Sequence, residues 1–333
     1  MKKMKTLCAL SCVALLSIQA LQAEKVLFLT NQVPTVNQAD LTVIEALEDE
    51  AYDVEVKLSQ QFDKSTDLDG VDCIYVSEAI GSGDPATLYA AELAGEIGIA
   101  IINNEPYGYN MTDRFHWAAG NRKGNTDFGK LFVTEEGAAH PIFMNAGFTS
   151  ATTDESEAIV VLQKADEAGP ATKMCYVGME DVTAGTVLAW DGSTVEGTGN
   201  KALIFVVEKG TELAPGVVAT GRRIGFFMAN GNNTLTDEGK AILLSAVAWG
   251  IEGNSMGVSH VEEPENSVAY RIVDGQILVN EENASLAIYT VTGALCESVQ
   301  SVRSYDYSAL AQGVYVARLQ AGNKTEVFKF IVK

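Results

Sequence analysis

In the first third of this chain, apolar segments alternate with amphipathic ones, and this pattern constrains the fold more strongly than any other feature of the sequence. Residues 25–30 form a continuous apolar run, which is typical of a strand covered on both faces of a sheet. This order of strands and helices predicts a doubly wound, mostly parallel α/β sheet. The predicted strands are 25–30, 52–58, 71–76 and 97–103, and the predicted helices are 39–50 and 85–94.

The pattern changes after residue 104. An aromatic segment at 107–117 and a loop-like, glycine-containing stretch at 120–129 lead into a region of short strands separated by Gly and Asp turns. This region predicts a β-rich insertion, which a helix at 236–251 closes. Its predicted strands are 130–133, 158–162, 173–177, 186–190, 201–207 and 222–228.

A change in charge indicates a domain boundary near residue 253. Residues 24–252 carry 35 acidic and 14 basic side chains, whereas residues 268–333 carry six of each. Between them, residues 253–267 are rich in Gly, Ser and Glu, as linkers often are. Residues 268–333 read as short alternating strands with tight turns, which predicts a separate all-β sandwich.

The first 23 residues predict a secretory signal peptide. Three lysines precede an apolar run from Leu7 to Ile18, and Ala20-Leu21-Gln22-Ala23 supplies the small residues of a cleavage site. The run is shorter than the roughly 20 residues of a membrane span, so no transmembrane segment is expected. The acidic balance argues against nucleic acid and anionic membrane surfaces as partners.

Three cysteines remain beyond the predicted cleavage site, Cys73, Cys175 and Cys296. An odd number at wide spacing is not a disulfide framework, and the sequence does not say whether any two of them pair. Because each lies in an apolar stretch, we expect buried structural thiols.

The C-terminal segment resembles the C-terminal sorting domain of proteins exported by the type IX secretion system of Gram-negative bacteria. The resemblance rests on a strand that ends in a glycine turn, a Leu-Ala-Gln-Gly-Val-Tyr segment and a final strand that ends in lysine. The residues that carry this signal are Gly293, Leu310, Gly313, Tyr315, Lys329 and Lys333.

The sorting-domain resemblance implies passage through the periplasm and recognition by the type IX machinery. The body of the protein is then expected in the medium or on the outer cell surface, where lipopolysaccharide is the implied anchor. Whether the body is released or attached stays open.

Residues 24–252 also resemble the class I glutamine-amidotransferase-like fold, including its trehalose-utilisation-type relatives. The resemblance rests on residues 25–30 followed by Asp40, on 70–72, on 139–141 and on 222–227 before the last helix. Enzymes of that family use a cysteine on a tight turn with a downstream His and Glu. The corresponding turn here, Asn103 to Pro106, has no cysteine, so amidotransferase activity is not expected.

Polar residues at the carboxyl ends of the predicted parallel strands mark the expected site, because ligands bind there in open α/β sheets. We predict acid–base candidates Glu78 and Glu105, and ligand contacts from Asn31, Ser77 and Asn104. The competing interpretation is that these side chains cap helices and bind loop backbone.

Histidine and aromatic residues supply the remaining candidates. Asp113 and His116 are spaced to share one helical face, which makes His116 a possible participant in the chemistry, but no second ligand indicates a metal site. The aromatic segment predicts a ligand-binding groove, lined by Tyr107, Tyr109, Phe115 and Trp117.

These observations favour an exported binding protein, not an enzyme, for a glycan or small polar ligand, and no cofactor is expected. One alternative is a secreted hydrolase that acts on carbohydrate derivatives. Another is a structural component of the cell envelope or matrix.

Overall fold

A computed structural model describes residues 23–109, 113–120, 122–192, 200–253, 270–273, 276–279, 281, 283–290, 295–311, 313–322 and 324–332. The chain divides into two compact units, with the division between residues 257 and 258. The predicted signal peptide, apart from Ala23, and almost all of the predicted linker lie outside the described residues. We call residues 23–253 the body and residues 270–332 the C-terminal unit.

The body contains one large mixed sheet with short helices around it. Its helices are α1 Gln38–Asp49, α2 Lys64–Asp67, α3 Ala86–Leu93, α4 Glu135–Ala138, α5 Pro141–Asn145 and α6 Asp237–Glu252. Its strands are β1 Lys25–Thr30, β2 Asp53–Leu58, β3 Cys73–Val76, β4 Ala100–Asn103, β5 Lys123–Asp127, β6 Lys130–Val133, β7 Ile159–Val160, β8 Leu162–Lys164, β9 Lys173–Gly178, β10 Thr186–Trp190, β11 Lys201–Val207, β12 Glu212–Ala214, β13 Val217–Val218, β14 Arg223–Gly225 and β15 Asn233–Leu235.

Half of this sheet is parallel and half is antiparallel. The order is β2-β1-β3-β4-β14-β11-β10-β6-β7, with β9 and then β5 branching from β11. The pairs from β2 to β14 are parallel, whereas the pairs beyond β14 are antiparallel. The expectation of a mostly parallel sheet is therefore wrong for the second half of the body.

Connection length accounts for one of these antiparallel pairs. Parallel neighbours need a crossover of a dozen or more residues, usually a helix, whereas antiparallel neighbours accept short loops. β10 and β11 are antiparallel neighbours, and the connection between them spans only residues 191–200. The predicted β-rich insertion consequently extends the main sheet and is not a separate layer.

The predicted loop at 120–129 contains a strand. β5 pairs with β9 in antiparallel register, Asn125 opposite Cys175, and lies at an edge of the sheet. Because an edge strand exposes much of its surface, its sequence Lys-Gly-Asn-Thr-Asp lacks the apolar alternation from which a strand is recognised.

The two faces of the parallel half are covered by separate hydrophobic clusters. Val26 and Phe28 of β1 pack with α1 and α6, whereas Leu27 and Leu29 pack with α3 on the opposite face. This alternation explains the continuous apolar run, since every side chain of the strand core is buried. Helices on both faces agree with the doubly wound arrangement predicted for this half.

A buried ion pair connects α3 to β14. The Arg223 guanidinium donates to both oxygens of Glu92, with Nε–Oε1 2.6 Å and Nη2–Oε2 2.7 Å. It also donates to the carbonyl oxygens of Ile97 and Ile99. Both side chains are fully buried, so this bidentate pair has its hydrogen-bonding groups satisfied inside the body.

The C-terminal unit consists of two antiparallel sheets that share one hydrophobic cluster. One has the order β16-β17-β20 and the other β19-β18-β21-β22. Inward side chains such as Ile277, Leu286 and Leu319 form the cluster. The strands are β16 Tyr270–Val273, β17 Gln276–Val279, β18 Ser285–Thr290, β19 Leu295–Val299, β20 Ser304–Asp306, β21 Gly313–Ala321 and β22 Lys324–Val332.

The cysteines do not all behave as expected. Cys73 and Cys175 are buried, but Cys296 is exposed on β19, an edge strand. An edge strand contacts a neighbour on one side only, which leaves Cys296 accessible despite the apolar residues around it in the sequence. None of these three described cysteines forms a disulfide.

Candidate functional site

The carboxyl ends of β1, β3 and β4 meet at one edge of the sheet, which we call the carboxyl rim. The strand order changes direction between β1 and β3, because β2 lies on one side of β1 while β3 and β4 lie on the other. Ligands of open α/β sheets bind outside the carboxyl ends at such a reversal. The predicted residues Asn31, Ser77, Glu78, Asn104 and Glu105 all lie here, directly after these strands.

The inner part of the rim is a buried polar brace centred on Asp40. Its carboxylate accepts hydrogen bonds from Thr30 Oγ1 at 2.7 Å, from Asn37 Nδ2 at 2.9 Å and from the Ser77 hydroxyl. Burial raises the pKa of Asp40, although these three hydrogen bonds act in the opposite direction. Since Ser77 and Thr30 are fully buried, this brace joins β1, β3 and α1 and offers no ligand surface.

Asn104 is also occupied by the fold. Its Nδ2 donates to the carbonyl of Val76 at 2.9 Å, and its Oδ1 accepts from the backbone N–H of Met228 at 3.0 Å. The side chain is completely buried. Ser77 and Asn104 lie at the carboxyl ends of β3 and β4, and their hydrogen bonds within the fold favour the competing structural interpretation.

The outer part of the rim contains Glu78. This half-buried carboxylate accepts from Asn125 Nδ2 at 2.8 Å and from the backbone N–H of Asn230 at 2.6 Å. Both asparagines are exposed. Glu78 therefore connects the end of β3 to the edge strand β5 and to the loop that follows β14.

Glu105 lies beneath the same surface. It is only 4% exposed, and its Oε1 accepts the backbone N–H of Tyr107 at 2.9 Å, which caps the 3-10 turn Pro106–Gly108. The ring of Tyr107 is 46% exposed. The carboxylate thus fixes the backbone that carries an exposed aromatic side chain.

The two carboxyl groups influence each other. Burial, aided by the charge of Glu78, raises the pKa of Glu105 to about 7, against the Tyr107 hydrogen bond and the Arg114 charge. Burial also raises the pKa of Glu78, against its hydrogen bonds from Asn125 and Asn230. A carboxyl group that titrates near neutrality beside a second one is an arrangement suited to proton transfer.

The predicted aromatic groove does not form. Tyr109, Phe115 and Trp117 are at most 2% exposed and pack on one another in the hydrophobic core. The Tyr109 hydroxyl donates to the Asn103 carbonyl, and Trp117 Nε1 donates to Glu92. These rings stabilise the segment after β4, so Tyr107 alone among the four remains a candidate ligand contact.

His116 does not share a helical face with Asp113. The described residues 113–120 contain no helix, and His116 has a left-handed backbone conformation with φ of 60°. Among the described residues, no group of three His, Cys, Asp or Glu side chains is arranged to hold a metal ion. Asn31 is exposed at the end of β1.

Sequence reasoning missed the contribution of the edge strand. A Cβ atom placed on Gly124 would lie 3.6 Å from the Tyr176 hydroxyl and 3.8 Å from the Tyr107 hydroxyl. Lys123 Nζ lies 5.8 Å from the centroid of the Tyr107 ring, and Lys201 Nζ lies 5.2 Å from that of Tyr176. Because residues 120–129 were predicted to form a loop, Asn125 and its neighbours were not among the predicted site residues, although they complete the surface around Glu78.

Two surface pockets lie away from the rim. One, of about 490 Å³, adjoins α2 and α3, where Phe62 and Ala91 form its base and Lys64 pairs with Glu96. The other, of about 320 Å³, is lined by residues 147–152, Glu157 and Ile159. Neither contains a predicted site residue.

The described sorting-signal residues belong to the fold of the C-terminal unit. Leu310 packs against its hydrophobic cluster, and the buried Tyr315 donates its hydroxyl to the Ala311 carbonyl at 2.9 Å. Gly313 pairs with Val332, and the backbone of Lys329 pairs with Val316. Gly293 and Lys333 lie outside the described residues.

The C-terminal unit is similar to a known protein family. Residues 273–333 match the secretion system C-terminal sorting domain. The sorting domain indicates a secreted or cell-surface protein that interacts with the type IX secretion machinery and is exported by it. No curated protein matches the chain. Of the helices in the described part of the chain, none is both long and apolar enough to cross a membrane.

Proposed function

We propose that this exported protein binds a small polar ligand, such as a glycan unit, at the outer rim of its body. We define the outer rim as Glu78, Tyr107, Asn125 and Asn230. The observation that carries the proposal is the half-buried Glu78 carboxylate, held between Asn125 and the backbone of Asn230. Convergent polar groups beside an exposed aromatic ring are typical of small-molecule sites.

Several contacts favour binding over catalysis. The hydrogen bonds of Glu78 and Glu105 serve to fix the edge strand and the Tyr107 turn. Cys175, whose thiol donates to Asn125 Oδ1 at 3.4 Å, is buried, and burial raises its pKa well above the usual value. A thiol in that state is a poor nucleophile.

The proposal of an amidotransferase-like body draws on the parallel half of the sheet alone. Helices on both faces and the reversal between β1 and β3 support it. The antiparallel extension beyond β14 is an addition to that arrangement. We infer a non-catalytic version of the fold, since the turn after β4 is Asn104-Glu105-Pro106 and carries no thiol.

A secreted hydrolase is the second candidate, and one observation favours it. Glu105, with a pKa of about 7, lies within the electrostatic influence of Glu78, so one carboxyl group can be protonated while the other is ionised. In that reaction Glu105 acts as the general acid and Glu78 as the general base. We expect Glu105→Gln to lose hydrolysis of carbohydrate derivatives. In the unsubstituted chain the activity should fall as the pH rises through about 7, where the general acid loses its proton.

The binding proposal is tested with the full chain and a library of small polar compounds in a thermal-shift assay. We expect at least one compound to raise the melting temperature of the unsubstituted protein and of Glu136→Gln, an exposed carboxylate on α4. The same compound should fail to stabilise Glu78→Gln. A ligand that stabilises all three proteins equally binds elsewhere and contradicts the proposal.

A further inference from the structure

The Tyr107 ring is a rigid, exposed platform. Its backbone N–H is held by Glu105, and its hydroxyl lies over Gly124 of the edge strand β5. The ring remains 46% exposed, although Tyr109 in the same segment is buried. An aromatic ring that is fixed and accessible offers apolar contact area with little loss of conformational entropy on binding.

Gly124 leaves space between two hydroxyl groups. The Tyr107 and Tyr176 hydroxyls both lie within 4 Å of the position that a Cβ atom would occupy at Gly124. Any larger residue would fill that space, and φ of 150° at this position also disfavours one. Two phenolic groups, each able to donate or accept hydrogen bonds, therefore lie close to Gly124.

The next residue, Asn125, links this platform to Glu78. The Glu78 carboxylate accepts one hydrogen bond at each oxygen, from Asn125 and from Asn230. A carboxylate offers about four acceptor sites, so each of its oxygens retains capacity for another donor. Two acceptor oxygens side by side suit two neighbouring hydroxyl groups of one ligand.

Basic groups lie among the acidic ones near Glu78 and Glu105, although the body as a whole is acidic. Lys173 and Arg114 act electrostatically on Glu78 and Glu105, respectively. Lys123 lies beside the Tyr107 ring. A cationic ligand is repelled by these basic groups, and an anionic ligand is repelled by the two carboxylates and by the acidic body. An uncharged ligand experiences neither repulsion.

We propose that the outer rim binds an uncharged saccharide, with the sugar ring stacked on Tyr107 and two adjacent hydroxyls hydrogen-bonded to the Glu78 carboxylate. This inference rests on the proposed function and names its ligand class. Asn125, Tyr176 and Gly124 become binding-site residues that the sequence did not indicate.

The test uses saturation-transfer NMR of the full chain with three classes of free sugar. The neutral class contains glucose, galactose, mannose and N-acetylglucosamine, the cationic one glucosamine, and the anionic one glucuronic acid. We expect signals from at least one neutral sugar and at least tenfold weaker binding of its charged counterparts. Titration of the strongest neutral sugar then gives a dissociation constant.

Variants identify the site. Glu78→Gln should weaken binding of that sugar by about tenfold or more, the size expected when a hydrogen bond to a charged group is lost. Tyr107→Ala, which removes the stacking surface, should weaken it by about tenfold. Tyr107→Phe, which keeps the ring, should remain within about threefold. Met144→Ala removes a side chain of similar exposure, 49%, elsewhere in the body and should bind normally. Circular dichroism confirms that each variant is folded.

The outcomes separate this inference from the proposed function. If only a charged sugar binds and Tyr107→Ala abolishes it, the ligand class is wrong while the binding function stands. If a neutral sugar binds equally well to Tyr107→Ala and Glu78→Gln, its site is elsewhere and the inference fails. If no sugar of any class binds, the inference is overturned. The thermal-shift assay with the compound library then tests the proposed function separately.

Discussion

The two units of this protein differ in how much their sequences reveal about function. The C-terminal unit has a balanced charge and regular antiparallel strands, and its sequence matches a sorting-domain family. The acidic body is larger, and most of its polar rim residues are committed to holding strands and loops together. A short sequence is therefore enough to identify the sorting domain, whereas the candidate site of the body depends on contacts between distant segments.

The largest expected effect concerns export. Deletion of residues 268–333 should abolish appearance of the body outside the cell and retain it in the periplasm, because the matched sorting domain is removed. Immunoblots of periplasm, cell surface and medium measure the distribution. Export that continues at the normal level would show that the body carries its own signal.

Arg223→Met tests the body in isolation from the sorting signal. Removing one partner leaves the buried Glu92 carboxylate unpaired, so we expect a loss of about 3–5 kcal/mol in the free energy of unfolding, measured by urea denaturation. The matched control is Lys64→Met, whose partner Glu96 is exposed, and the expected loss is about 0–1 kcal/mol. Equal losses in the two variants would mean that the buried pair has no special role.

Two groups in the body should respond to pH in opposite directions. Burial raises the pKa of Glu105 to about 7, so the folded state binds more protons than the unfolded state between pH 4.5 and 7. Its contribution to stability is largest at low pH and is lost as the pH rises through 7. Glu105→Gln should remove this decline, by up to about 3 kcal/mol, in unfolding measured across that range.

His140 supplies the opposite slope. Burial, with the Arg222 charge as a smaller cause, lowers the pKa of His140 to about 4, and its Nδ1 accepts the backbone N–H of Ile142. The unfolded state then binds more protons between pH 4 and 6.5, so stability falls as the solution is acidified through that range. His140→Asn should flatten this loss, of roughly 1–3 kcal/mol. Unchanged pH curves in both variants would mean that these groups titrate normally.

The smallest predicted effect is at the start of α6. Thr236 Oγ1 accepts the backbone N–H of Gly239 at 3.0 Å and caps the helix. Thr236→Ala should lower the free energy of unfolding by about 1 kcal/mol. Thr236→Ser, which keeps the hydroxyl, is the control, and an equal loss in that variant would exclude the cap as the cause.

The parts of the fold that were predictable have strong local patterns. The apolar run of β1 and the Thr236 cap of α6 are visible in a few consecutive residues, and the structure has both. The antiparallel half was not predictable in the same way, because its direction depends on which distant strand each segment joins. β5 shows this limit most clearly, since its pairing with β9 is absent from its own residues.

The candidate site, like the fold, was predictable from the sequence only in part. The rule that ligands bind at the carboxyl ends of parallel strands predicted that Glu78 and Glu105 would lie together at one edge of the sheet, but it did not predict their partners. The fate of Ser77 and Asn104 depended on partners more than 25 residues away in sequence, Asp40 and Val76. Burial of Tyr109 and Trp117 followed from tertiary packing, which composition does not reveal.

The hydrogen bonds of Arg223 also have a kinetic consequence. The bond from its Nη2 to the Ile97 carbonyl joins residues 126 positions apart, so the parallel half of the sheet closes only after most of the body is present. The ladder between β21 and β22, from Gly313–Val332 to Ala321–Lys324, joins neighbours in sequence. Contacts between near neighbours form faster than contacts that close long loops. We therefore expect the β21–β22 hairpin to form faster than the pairing that joins β14 to the parallel half of the sheet.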